Sequence, residues 1–523
     1  MIVLGVAALA CDAAPGTLHH RRDPGALVVA QAADVTGLDL VRVIDNESLE
    51  VGGILFEGLA RWRPGTTAVE PGLASAWQVS PDGLRWTFTL RPGVLFHDGT
   101  RLDADAVVFS FDRLIDPHHP SYLGGDDAAY WRGLLRDVKR VYATGPATVV
   151  FEIARPYAPL LGELAMLPIV SPTAVRRWGN DFVRHPVGTG AFSFEAWDPG
   201  GQVVVRRFAR YWGARPALER IVFRVVVDAR QRLVDLQSGS VDLAMSILPD
   251  EQSFVELHPD LLLQHAPSNN IIYLAINLDH APFQDLRVRR AISHAINKDP
   301  IVKLAYQGRA IAAESVLPPG QWGYHVPSMR YDYAPVAARR MLDEATAAHK
   351  FDPNRIYRLF ASTTPRAYMS APERIARYLQ VALAQVGVRV ELVLQPIGQH
   401  LASVSRGDHD LALFGWIGDT GDPDNFLYVL LHSDNAVAGS AQNISFYRNA
   451  EVDRMLIAAQ AAVDQQTRSA IYAEVQDRVA EDAPWVPIAH TELVVATRAD
   501  IDQVILTPLG HVLYTMIRRK ESR

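Results

Sequence analysis

Ile356-Tyr357-Arg358-Leu359-Phe360, a loop carrying Arg366, the stretch Pro372–Gln385, and Val388-Arg389-Val390-Glu391-Leu392-Val393-Leu394 form the passage from which the fold is read. The first and last pieces are short and rich in β-branched and aromatic residues, the signature of strands. Between them Ile375, Leu379 and Leu383 recur on one helical face, and Gly387 supplies the stop. Strand, helix and strand in this order make a crossover unit, which builds a parallel sheet covered by helices. An α/β fold is expected.

Other segments extend the pattern. Strands are expected at 203–205, 221–227 and 271–276, with a short helix at 230–236 before Gly239. A helical stripe runs over 287–296, and Asp299 with Pro300 marks the cap and first turn of a helix ending before Gly308. Earlier, Arg85–Leu90 alternates apolar and polar residues. Asp103 then caps a helix with Val107, Val108, Phe111, Leu114 and Ile115 on one stripe, stopped by Pro117. This early stretch reads as α+β. With 523 residues, the chain has material for two or three lobes, since single cores rarely exceed ~250–300 residues.

A net charge of -7 offers no electrostatic reason for a nucleic-acid partner. Cys11 is the only cysteine, so no internal disulfide forms. It follows an apolar run, 2–10, that is too short to span a bilayer and reads as the end of a signal peptide. Small residues before that cysteine resemble a bacterial lipobox, which implies lipidation of Cys11 and an extracytoplasmic, membrane-anchored protein with 13–24 as a tether. The alternative is an incidental cysteine.

No apolar stretch of ~18 residues follows Cys11, so the chain does not read as a permease. The absence of a G-x-x-x-x-G-K-[ST] loop argues against an ATPase, and that of G-x-S-x-G or H-E-x-x-H motifs against an enzyme. No catalytic or metal-binding residue is assigned. The pairs His19-His20 and His118-His119 lack helical ligand spacing and read as solvated loops.

The chemistry gathers at a second strand and its loop, Leu411-Ala412-Leu413-Phe414-Gly415-Trp416-Ile417-Gly418-Asp419-Thr420-Gly421-Asp422-Pro423-Asp424-Asn425-Phe426, with three carboxylates and no basic neighbour. Ligands of open α/β sheets collect outside the carboxyl ends of the strands. Asp419 leaves one such end and Arg366 another. A guanidinium for a carboxylate and a carboxylate for an ammonium together describe a receptor for a zwitterion. The alternative is that the two pair with each other or with surface neighbours.

From Ala26 to Met516 the chain resembles the family 5 extracytoplasmic solute-binding proteins of peptide-importing ABC transporters, most closely those that bind dipeptides. The resemblance is carried by Trp86-Thr87-Phe88-Thr89-Leu90-Arg91-Pro92-Gly93-Val94-Leu95-Phe96-His97-Asp98-Gly99-Thr100 and the helix Asp105-Ala106-Val107-Val108-Phe109-Ser110. It continues through Pro186-Val187-Gly188-Thr189-Gly190-Ala191-Phe192, Tyr211-Trp212-Gly213, Asp285-Leu286-Arg287-Val288-Arg289-Arg290-Ala291, Ile296-Asn297-Lys298, Leu317-Pro318-Pro319 and Trp322-Gly323-Tyr324.

The resemblance implies a type II periplasmic-binding-protein-like α/β fold with two hinged lobes and an extra α+β subdomain in the N-terminal lobe. Lobe I would comprise 26–269 plus 491–523, with the extra subdomain about 57–185, and lobe II 270–490. Hinges would fall near Asn269-Asn270 and 487–491. The implied function is capture of dipeptides or short peptides by hinge closure and delivery to the permease and ATPase subunits of an ABC importer, as a monomer without a cofactor.

By position, Asp419 would meet the ligand amine and Arg366 its carboxylate, with Trp416, Ile417, Gly418 and Tyr368 around them. Ala367 stands where the family has proline. Asp422 and Asp424 read as turn and cap residues around Pro423, and Glu47 as either a pocket-rim residue or a helix cap. Haem is the alternative ligand, with His97 or an exposed histidine then relevant. Peptide sensing or hydrolysis is the remoter reading.

Overall fold

The computed structural model describes residues 25–366 and 368–520; Cys11, the tether 13–24, His19, His20 and Ala367 lie outside them. The expected crossover is present. Ile356–Ser362 and Arg389–Gln395 pair in parallel around the helix Pro372–Gln385, and Ile356–Ser362 also pairs in parallel with Leu411–Ile417. All three strands therefore end on one edge.

A second parallel group lies at the other end of the same sheet, where Ala26–Gln31 pairs with Arg220–Val225 and with Leu243–Ala244. The long strand Trp485–Arg498 links the two groups. Its first part pairs with Asn270–Ile276 and its last part with Leu261–Pro267, so partners change between Pro267 and Asn270. There the Asn270 amide donates to the Thr491 hydroxyl (3.0 Å), while Thr491 N–H donates to the Asn270 carbonyl oxygen Oδ1 (2.9 Å). Side-chain bonds replace the ladder where the chain crosses.

Burial follows the same division. Ile272, Leu274, Ile292, Leu359, Leu379 and Leu411 belong to one apolar core, and Leu27, Val29, Phe192, Phe223 and Tyr514 to another. A third core, including Trp86, Phe88, Phe111, Trp131 and Phe151, fills an antiparallel α+β unit. Its four strands stand in the order Ala74–Val79, Arg85–Leu90, Thr148–Ile153, Val138–Gly145. The helix Ala104–Ile115 covers them, with Asp103 accepting from Ala106 N–H at 2.9 Å as its cap.

Some element ends differ from expectation. The helix expected from Asp299 starts at Lys298, and its cap is Asn297, whose side chain accepts from Asp299 N–H at 3.2 Å. Both residue types cap well, so local sequence does not choose between them. The strand expected to reach Val227 ends at Val225, because the carbonyls of Val226 and Val227 accept from the Arg232 guanidinium instead.

Candidate functional site

The strand Leu411–Ile417 runs into a loop whose backbone groups are held largely by side chains. Gly418 N–H donates to the Asn269 carbonyl (2.7 Å), and a β-carbon at Gly418 would lie 2.3 Å from Phe426 and 2.4 Å from Asn269. Only glycine lets the chain pass here. Asn425 Oδ1 accepts from both Trp416 Nε1 (3.0 Å) and Asp419 N–H (3.1 Å), which sets the start of the loop. Trp62 Nε1 donates to Thr420 O, while Gln321 and Trp322 both donate to Gly421 O. Trp416 is thus an anchor of the loop, and Ile417 is half-buried beside it.

Asp419 projects from this fixed loop. Among the described residues, its carboxylate accepts a side-chain hydrogen bond from Tyr130 alone, at 2.8 Å to Oδ2, and forms no ion pair. Burial raises its proton affinity above the ordinary carboxylate value, opposed by the Tyr130 bond and the charge of His511. Burial is likewise the first cause of the raised Tyr130 value and works against charge on His511. Yet Tyr130 keeps 37% of its surface accessible and the His511 side chain 38%. Groups walled in by protein that nevertheless retain open surface line an internal cleft.

Two further contacts cross between the groups of strands. Gln307 donates to Asp250 at 3.2 Å, and Arg309 pairs with Glu256. Asp250 and Glu256 lie on the helix Pro249–Leu257, which follows the strand Leu243–Ala244. The carboxyl edge of the N-terminal strands therefore faces the other half of the molecule.

Arg366 leaves the strand Ile356–Ser362 on the same edge from which Asp419 leaves its neighbour. It is exposed and has no ion-pair partner among the described residues, so the alternative that Arg366 and Asp419 pair with each other is not what the structure contains. Backbone bonds of 2.9 Å in both directions between Arg366 and Met369 close its turn. Tyr368 packs into the space left by Gly415, where a β-carbon would lie 2.5 Å from its ring, and donates to Gly415 O at 3.2 Å. Burial raises the proton affinity of Tyr368, opposed by the adjacent Arg366 charge. Tyr368 thereby ties the arginine turn to the strand that carries Asp419.

The other two loop carboxylates are more than turn and cap residues. Asp422 receives Asp424 N–H at 3.0 Å, as a turn residue does, but its main partner is Arg468, bound by two bonds of 2.8 and 2.7 Å. Pro423 occupies the cap position of the helix Asp424–Leu431, so Asp424 is not the cap. Both Asp424 oxygens lie 3.0 Å from Gln460 Nε2, and burial with the Asp422 charge pushes its proton affinity up to about 7. Burial also pushes Glu163 up to about 8, although Tyr157 donates to its Oε1 at 2.7 Å. Its Oε2 is buried without a partner among the described residues.

Glu47 is not a helix cap. Asp45 caps that helix, accepting from Ser48 N–H at 2.8 Å, and Glu47 stands half-buried in its first turn with raised proton affinity from burial. His97 is not a free ligand. One ring nitrogen lies 3.0 Å from Gly190 O, the other accepts from Gly188 N–H at 3.3 Å, and burial pushes its pKa down to about 4. His118 is exposed, whereas His119 packs edge-on against Phe109 at 4.8 Å.

The sequence alone did not point to Tyr130, His511, Asn425 or Arg468. Tyr130 stands beside Trp131, but nothing local ties that pair to a loop 289 residues away.

A family model described as bacterial extracellular solute-binding proteins, family 5 (middle), matches residues 68–438. The chain is 33% identical over 475 residues to the dipeptide-binding protein of Escherichia coli K12, covering 87% of each. It is 30% identical to heme-binding protein A of Haemophilus influenzae, covering 87% of this chain and 85% of that one. A solved ABC transporter-associated periplasmic binding protein of Helicobacter pylori, in complex with the peptide STSA, superposes with TM-score 0.79 at 30% identity, covering 95% and 98% of the two chains.

Proposed function

Because the chain belongs to family 5 of the bacterial extracellular solute-binding proteins, we propose that it captures dipeptides or short peptides and delivers them to the permease and ATPase subunits of an ABC importer. Its fold is the type II periplasmic-binding-protein fold. We assign 26–269 with 491–523 to lobe I, about 57–185 to its extra subdomain, and 270–490 to lobe II, hinged where strand partners change. Lipidation of Cys11 would hold the protein at the membrane surface. Among the described residues no helix is long and apolar enough to cross a membrane.

One observation carries the peptide reading. Asp419 and Arg366 leave adjacent parallel strands on one edge, each without an ion-pair partner among the described residues. An unpaired carboxylate is costly where burial disfavours its charge, and a zwitterion offers Asp419 and the exposed Arg366 a partner at once. Peptide backbone groups add hydrogen bonds along the cleft. Thermal-shift screening with Ala-Leu, longer peptides and haem tests this, since a ligand of the native state raises the melting point. A shift with peptides is expected; a shift with haem alone overturns the reading.

A further inference from the structure

The amine end of the cleft holds an ionisable group that the zwitterion reading leaves unused. His511 sits in a tight turn, where Thr507 N–H donates to His511 O at 2.8 Å and His511 N–H donates to Thr507 Oγ1 at 3.1 Å. Its Nδ1 lies 2.9 Å from Glu50 Oε2, and Glu50 Oε1 accepts Val512 N–H at 2.9 Å. Glu50 is only 5% exposed, so the imidazole is oriented by a fixed carboxylate. Nε2 has no hydrogen-bond partner among the described residues and is not sealed off, since the side chain stays 38% accessible. The ring thus keeps open surface, and Asp419 lies near enough for its charge to act on the imidazole.

The charges acting on His511 come from two elements. Glu50 belongs to the helix Asn46–Leu55, with Glu47 one turn earlier; Asp419 belongs to the loop after Leu411–Ile417. Tyr130 and Tyr514 remain neutral phenols, both held far above their ordinary value by burial and by a neighbouring carboxylate. Two carboxylates thus share one imidazole.

We propose that His511, oriented by Glu50, is a resident cation of the amine subsite that competes with the ligand ammonium for Asp419, so that peptide capture releases a proton. The inference rests on the reading that Asp419 receives a peptide amine. Burial disfavours the imidazolium, but Glu50 and Asp419 outweigh it and His511 is held above its ordinary value. An ammonium at Asp419 cancels part of that attraction and adds repulsion, so proton affinity falls. The antagonism is reciprocal: affinity for peptide tightens as pH rises through the His511 titration. Peptide amines, with ordinary values of about 7.7–8.0, stay mostly charged below about pH 7 and leave that window readable.

The test is titration calorimetry of the whole protein with Ala-Leu and with the peptide STSA at pH 7, in phosphate and in Tris. The dependence of the observed heat on buffer ionisation counts the protons. The native protein is expected to release a fraction of a proton per peptide, and its affinity to rise with pH through the His511 titration. His511→Gln should release none and show a flat profile. Glu50→Gln, which keeps the imidazole but removes its orienting charge, should release a smaller fraction. Binding without proton release, or release unchanged in either variant, overturns the inference and leaves the peptide reading standing. No binding of either peptide to the native protein overturns both.

Discussion

The Tyr130 hydroxyl donates to Asp419 Oδ2 at 2.8 Å, joining a short helix of the α+β unit to the loop at the end of a strand in the opposite half. A neutral donor favours the ionised carboxylate without cancelling its charge. The second oxygen is left to the cleft.

Asp419→Ala should weaken dipeptide binding by ~2–5 kcal/mol, because truncation leaves the ligand ammonium buried without its counter-charge. Titration calorimetry reads this directly, and an unchanged affinity would remove Asp419 from the site.

Arg366→Ala should weaken peptides with a free carboxylate far more than their C-terminal amides, since only the carboxylate accepts two guanidinium bonds. Comparing both ligands on both proteins isolates the effect. Equal losses would mean that the arginine acts elsewhere.

Arg468→Ala should destabilise the fold by ~3–5 kcal/mol, because it leaves Asp422 buried without the cation that now holds it by two hydrogen bonds. Denaturant unfolding measures the loss. A midpoint like that of the native protein would show that the pair contributes little.

Stability should fall as pH rises from about 4.5 to about 8. Glu163 is held up to about 8 and Asp424 up to about 7, so the folded chain keeps protons that the unfolded chain has released. The stabilisation is full below the unfolded carboxylate values and is lost as pH passes the folded ones. Glu163→Gln can still accept the Tyr157 hydroxyl and should flatten the dependence between pH 6 and 9; unfolding midpoints that stay equally steep would count against it.

Gly418→Ala should reduce binding and stability together, since its β-carbon would fall within 2.4 Å of both Phe426 and Asn269. The loop must then move, and Asp419 with it. Native affinity in this variant would show that the loop position is not critical.

The crossover around Pro372–Gln385 was legible in the chain because strand and helix periodicities are local properties, and a parallel pair brings both strand ends to one edge. The strand ends pointed to Asp419 and Arg366, and the long resemblance implied their roles and the lobe arrangement. What each of these carboxylates meets was decided only by tertiary structure. Asp422 finds Arg468 46 residues away, Asp419 finds Tyr130 at 289, and Glu50 finds His511 at 461. Contacts of that range leave no periodic trace, and a carboxylate in a turn looks the same in sequence whether it faces water, an arginine or an open cleft. Burial separates the three, and burial is a property of the packed chain.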